Sequence, residues 1–115
     1  MDLAEPGSVE ISMPWRAETG QYSGFLHAGL VGALIDTACG FAAATVVGRV
    51  LASHFSVNCL RPAVGERFVG RARVVKPGRS QVFTSCELFA HSAGQEKLVA
   101  TGETLLIVVD TGEAA

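Results

Sequence analysis

The sequence has little of several things at once. Charged residues fill 17% of its 115 positions and aromatic residues 7%, with one tryptophan and one tyrosine. Nine lysines and arginines against eleven acidic residues give a formal net charge of −2. That balance leaves no electrostatic footprint for nucleic acid or an anionic membrane. The three cysteines, Cys39, Cys59 and Cys86, are scattered, odd in number and without Cys/His spacing. Neither a disulfide framework nor a zinc site is expected; small thiols in a reducing cytoplasm fit better. No metal-ligand cluster, glycine-rich phosphate loop or dinucleotide fingerprint occurs. Repeats, low-complexity stretches and linkers are missing too, so residues 1–115 read as a single domain. The segment Met1–Glu10 is acidic with no apolar centre, and a signal peptide is not expected there.

What is present in excess is apolar, small sequence. Hydrophobic residues make up 49% of the chain, with 13 glycines and only 4 prolines. Mean hydropathy is +0.35, which in so small a domain points to apolar surface hidden in an oligomer. The stretch from Ala28 to Val47 lacks proline and is far too long for a strand, so it reads as a helix about 30 Å long. It is apolar nearly all round, as a helix covered on every side would be. A membrane span is disfavoured, because Asp36 at its centre would cost about 2.5–3.5 kcal/mol. A carboxylate in such a helix is expensive unless donors or a counter-charge tie it down, or unless it does chemistry.

Around the helix the period is two. Val9, Ile11 and Met13 alternate with Glu10 and Ser12 in a first strand. After Gly48, Phe55, Val57 and Cys59 share one face and His54, Ser56 and Asn58 the other. Strands follow at "RFVGRARVV", "QVFTSCELFA" and "KLVATGETLLIVV", separated by turns at "KPGRS" and "HSAGQ". The expectation is α+β: one strand, one long helix, then four strands in an antiparallel meander. One helix cannot cover both faces of five strands, so the sheet should curl around it, with a partner subunit completing the cover.

This order resembles the hotdog fold, a five-stranded, mainly antiparallel sheet around one central helix. At residue level the chain is similar to the PaaI-like acyl-CoA thioesterases. Their helix opens on His-Gly-Gly, with an Asp or Glu nine residues after the His and an Asn or Gln six residues before it. "HAGLVGALID" places His27, Ala28, Gly29 and Asp36 in that register, and Gln21 holds the upstream position. "SVNCLRPAVGERFVGRARVVKPGRS" resembles the strand, turn and hairpin that follow. Ala28 departs from the signature's middle glycine. The family uses that residue's backbone N–H, which alanine retains if its φ is negative.

The resemblance implies a cytoplasmic enzyme that hydrolyses acyl-CoA to acid and coenzyme A, with no cofactor and no nucleic-acid or membrane partner. Thioester hydrolysis needs a base or nucleophile and donors for the developing oxyanion. Asp36 would be the first, and N–H groups of Ala28 and Gly29 at the helix start the second. About 10 Å of helix separates them, too far for one carbonyl. Related enzymes build the site across a dimer, so a homodimer or a dimer of dimers is implied. Gln21 would position water or the thioester, and His27 would orient the loop. Ser53 or His54 would contribute on the next strand, whichever faces the site. Arg61, Lys76 and Arg79 are candidates for the coenzyme A phosphates. A non-catalytic acyl-CoA-binding module is the alternative, kept open by Ala28.

Overall fold

The protein was analysed as a computed structural model, which describes residues 2–16, 18, 20 and 25–109. The elements are β1 (Leu3–Glu5), β2 (Ser8–Pro14), α1 (Ala28–Val47), β3 (Val50–Cys59), β4 (Arg67–Lys76), β5 (Gln81–Ser92) and β6 (Gln95–Val108). One antiparallel sheet runs β1-β2-β4-β5-β6-β3, with α1 lying across its inner face. This is the hotdog architecture. Its sheet has six strands rather than five, because Gly7, at φ 82°, turns the chain back so that Leu3–Glu5 pairs with β2.

A further expectation is corrected. Only β4, β5 and β6 form a meander; β3 pairs with β6 at the far edge, and β2 takes the place beside β4. Within one chain α1 is covered on one side. Val31, Ile35, Ala38, Cys39, Ala42 and Ala43 are buried against the sheet, while Ala33, Thr37, Phe41 and Ala44 are exposed. The uncovered side faces β3, whose ten residues are exposed or half-buried throughout and whose outer edge has no partner among the described strands.

Small residues let the helix and sheet meet. A Cβ on Gly102 of β6 would lie 2.6 Å from Ile35 Cγ2 and 2.8 Å from the Ser56 carbonyl oxygen. Ile35 can shift, but the β3 backbone cannot without losing its ladder. Gly102→Ala is therefore expected to cost about 1–3 kcal/mol by overpacking, read as a lower denaturation midpoint at unchanged m-value. Beneath the helix centre lies a small polar cluster. The Cys39 thiol lies among the polar side chains of Cys86, Thr84 and Thr104, whose influence outweighs burial and lowers its pKa to about 7. The Cys86 thiol is correspondingly pushed up by Cys39 and by burial. Thr84 Oγ1 also donates to the Thr104 carbonyl at 2.8 Å.

Candidate active site

The helix start is built by His27. Its backbone is extended (φ −60°, ψ 136°) and its carbonyl accepts from Leu30 and Val31 at 2.9 and 3.1 Å. Its imidazole Nδ1 accepts from the Gly29 N–H at 3.0 Å, so the ring acts as the N-cap. That bond requires Nδ1 to be unprotonated. Gly29 also leaves room for the ring, since a Cβ there would sit 3.2 Å from Nδ1. The Gly29 N–H is thus engaged by the His27 ring. Of the first three helical N–H groups, only that of Ala28 has no acceptor among the described residues. Ala28 carries no left-handed strain, because Ala93 is the only non-glycine with positive φ among the described residues. Alanine therefore presents its N–H as glycine would. Removing the cap in His27→Ala is expected to cost about 1 kcal/mol and to fray the turn that aims that N–H, measurable as a lower Tm.

Asp36 lies two turns further along, half-buried on the uncovered side of α1. It makes no hydrogen bond or ion pair with any described residue. Its carboxylate is the common wall of two cavities. One, of about 540 Å³, runs from Ala28 and Gly29 past Gly32 and Ala33, and is closed on the β3 side by Phe55, Val57 and Cys59. The other, of about 400 Å³, lies beyond Asp36 between Gly40, Phe41 and Ala44 of the helix and Val50, Leu51 and Ala52 of β3. A Cβ on Gly40 would meet nothing within 4 Å, so that position leaves its chamber open. Along the helix axis Ala28 and Asp36 are separated by about 12 Å. Within one protomer they do not share a reaction centre.

The other sequence candidates fall in three groups. Gln21 lies outside the described residues. Arg61 stands at the helix start, lining a cavity of about 310 Å³ with Phe25, Ala28 and Cys59. Ser53 and His54 do not reach either Asp36 cavity: a bulge between Ala52 and His54 sets both against Leu105, and Ser53 Oγ donates to its carbonyl at 3.1 Å. The inward row is instead Ala52, Phe55, Val57 and Cys59. Lys76 and Arg79 are at the opposite end of the molecule from Ala28. There Val74 donates to the Gly7 carbonyl, and the Gly7 N–H bonds Thr45 near the helix C-terminus. Arg71, on the outer face, is held between Glu10 and Glu96, and in turn keeps the Glu96 carboxyl near pKa 2. No group of three His, Cys, Asp or Glu that could hold a metal occurs among the described residues.

A single helix over a curled antiparallel sheet, with one side of the helix left uncovered beside β3, is the frame of the hotdog fold. The chain belongs to the thioesterase superfamily, whose profile matches residues 23–97. A crystal structure of a thioesterase family protein from Silicibacter pomeroyi is 43% identical, with a TM-score of 0.90 over 92% of this chain and 80% of that one. Thioesterase superfamily member 2 of zebra fish shares the fold at 24% identity and a TM-score of 0.83, over 93% and 78%. So does a Staphylococcus aureus thioesterase enzyme solved with one glutamine replaced by alanine, at 24% identity and a TM-score of 0.87, over 95% and 91%. The same S. aureus protein was also solved with a glutamate replaced by alanine. No curated protein matches the chain.

Proposed function

We propose that the protein is a cytoplasmic, PaaI-like acyl-CoA thioesterase acting as a homodimer, alone or paired into a dimer of dimers. The Ala28 N–H of one subunit polarises the thioester carbonyl. Asp36 of the other activates water or attacks the carbonyl, and Gln21 assists. The observation carrying this reading is the solitary state of Asp36. A structural aspartate would be tied to donors; this one is half-buried, unpaired and set between two cavities. The uncovered groove also suits a second subunit, since Phe41, Phe55 and Leu51 are 45%, 49% and 65% exposed along it. The two substitutions in the S. aureus relative fall fifteen residues apart, which is the separation of Gln21 and Asp36 here. Arg61, at the helix start, is the cation best placed for the coenzyme A phosphates.

The test is release of free coenzyme A thiol from a panel of short, aromatic and long acyl-CoAs. Turnover of at least one is expected, at a kcat on the order of 1–10³ s⁻¹. Tight acyl-CoA binding with no thiol released from any of them would instead identify a non-catalytic module.

A further inference from the structure

Resting on the reading of Asp36 as the hydrolysing carboxylate, we infer the class of acyl group: an ω-carboxyacyl chain of middle length, its far carboxylate bound by Arg49. The two cavities that meet at Asp36 give the two arms of a thioester separate directions. The 540 Å³ cavity shares Ala28 and Cys59 with the cavity that Arg61 lines, so the coenzyme A arm leaves by the helix start. The acyl arm is left with the 400 Å³ chamber, whose lining begins at Asp36 and includes Arg49.

Chain direction sets Arg49 at the far end of that chamber. Gly48, at φ 85°, ends α1 and turns the chain back, so β3 runs beside the helix in the opposite sense. A Cβ on Gly32 would stand 3.7 Å from Val57 Cγ2 and 3.8 Å from Phe55 Cε2, which fixes the level of the two elements. Val50 then falls near the helix C-terminus, with Arg49 just beyond it. From Asp36 to Ala44 the helix advances about 12 Å. An extended chain gains about 3.5 Å per three bonds, so about ten bonds span that distance, fewer where the Arg49 side chain reaches inward. Phe41, Ala44, Leu51 and Leu106 make the walls apolar along the way.

Arg49 is the wrong end wall for an alkyl or phenyl group. Its guanidinium makes no hydrogen bond or ion pair with any described residue, unlike that of Arg71, which two carboxylates hold. A hydrocarbon terminus laid against it would strip its water and return no acceptor. A carboxylate returns a charge-assisted pair of bonds. Length matters as much as charge. At about 12 Å the far carboxylate stands beyond the Debye length of about 8 Å from Asp36, so the two negative charges hardly interact. In a malonyl or succinyl group it would sit beside Asp36 and be repelled. Hydrolysis breaks the C–S bond as water gives its oxygen to the carbonyl carbon and a proton to the thiolate. The products are an α,ω-dicarboxylic acid and the coenzyme A thiol.

Thiol release from suberoyl-CoA, set against octanoyl-CoA of the same chain length, tests this. Wild type is expected to show a kcat/KM about tenfold or more higher for suberoyl-CoA, the worth of one charge-assisted pair. Succinyl-CoA is expected to be about tenfold or more poorer than suberoyl-CoA. Arg49→Gln is expected to raise KM for suberoyl-CoA about tenfold and bring the suberoyl-to-octanoyl ratio near one, while Arg49→Lys keeps part of the preference. Arg49 is exposed and its side chain has no described partner, so both variants are expected to fold, which circular dichroism checks. The comparison in wild type decides the matter even without them. Octanoyl-CoA hydrolysed as well as suberoyl-CoA, or an Arg49→Gln variant that keeps the preference, overturns the role of Arg49 and leaves that of Asp36 standing. No thiol released from any thioester overturns the Asp36 reading and this inference with it.

Discussion

Replacing Asp36 with asparagine is expected to lower kcat for acyl-CoA hydrolysis by about 10²–10⁴-fold, the worth of a positioned base in proton transfer. The loss falls on kcat rather than KM if the carboxylate acts in the transition state and not in ground-state binding. Stability is expected to change little, within about 0.5 kcal/mol, because the carboxylate has no described partner to lose. That combination separates the catalytic role from a structural one. An aspartate holding the helix in place would show the reverse, a lower Tm with turnover nearly intact. An Asp36→Asn variant as active as wild type would remove the residue from the mechanism.

The second large effect is expected from Ala28→Pro. Proline is well tolerated at the first position of a helix, where the N–H has no intrahelical partner. The preceding residue must be extended, and His27 already is, with ψ 136°. The variant therefore deletes one hydrogen atom of interest and little else. Loss of an oxyanion donor costs about 10²–10³-fold in kcat, so a folded, capped and nearly inactive protein is expected. The two variants can then be combined. If donor and carboxylate come from different subunits, a heterodimer of Ala28→Pro with Asp36→Asn carries both lesions in one site and neither in the other. Unfolding and refolding an equal mixture is expected to restore about a quarter of wild-type activity, half the dimers being mixed and each with one intact site. Two inactive parents that stay inactive when mixed, in a protein confirmed dimeric, would place donor and carboxylate in the same chain.

Much of this arrangement was legible in the residues, and the limits have physical reasons. The helix bounds, Ala28 to Val47, follow from local signals: no proline, small apolar residues and Gly48 at the end, where φ is 85°. Asp36 was conspicuous because a charge in such a helix is costly. The inward row Phe55, Val57, Cys59 followed from period two. The place of β3 did not, since pairing with β6 rather than β4 is decided by contacts some fifty residues apart, as between Leu51 and Ile107. The bulge that turns Ser53 and His54 away from the groove is a property of two strands in register and cannot be read from one. Apolar residues all round α1 announced a helix that one chain's sheet cannot cover alone, and one side of it is indeed uncovered here. The capping role of His27 was hidden because imidazole is an unusual cap; the clue was its position just before the helix.

The cluster of Cys39, Cys86, Thr84 and Thr104 has a bearing on all of this. A helix lined with glycine and alanine offers few knobs to stop it sliding along a smooth sheet. A slip of one turn, about 5.4 Å, would leave an apolar contact much as before, but would carry the Cys39 thiol away from the polar side chains of Cys86, Thr84 and Thr104. The cluster thus works as a detent. It sets the height of Asp36 above β3.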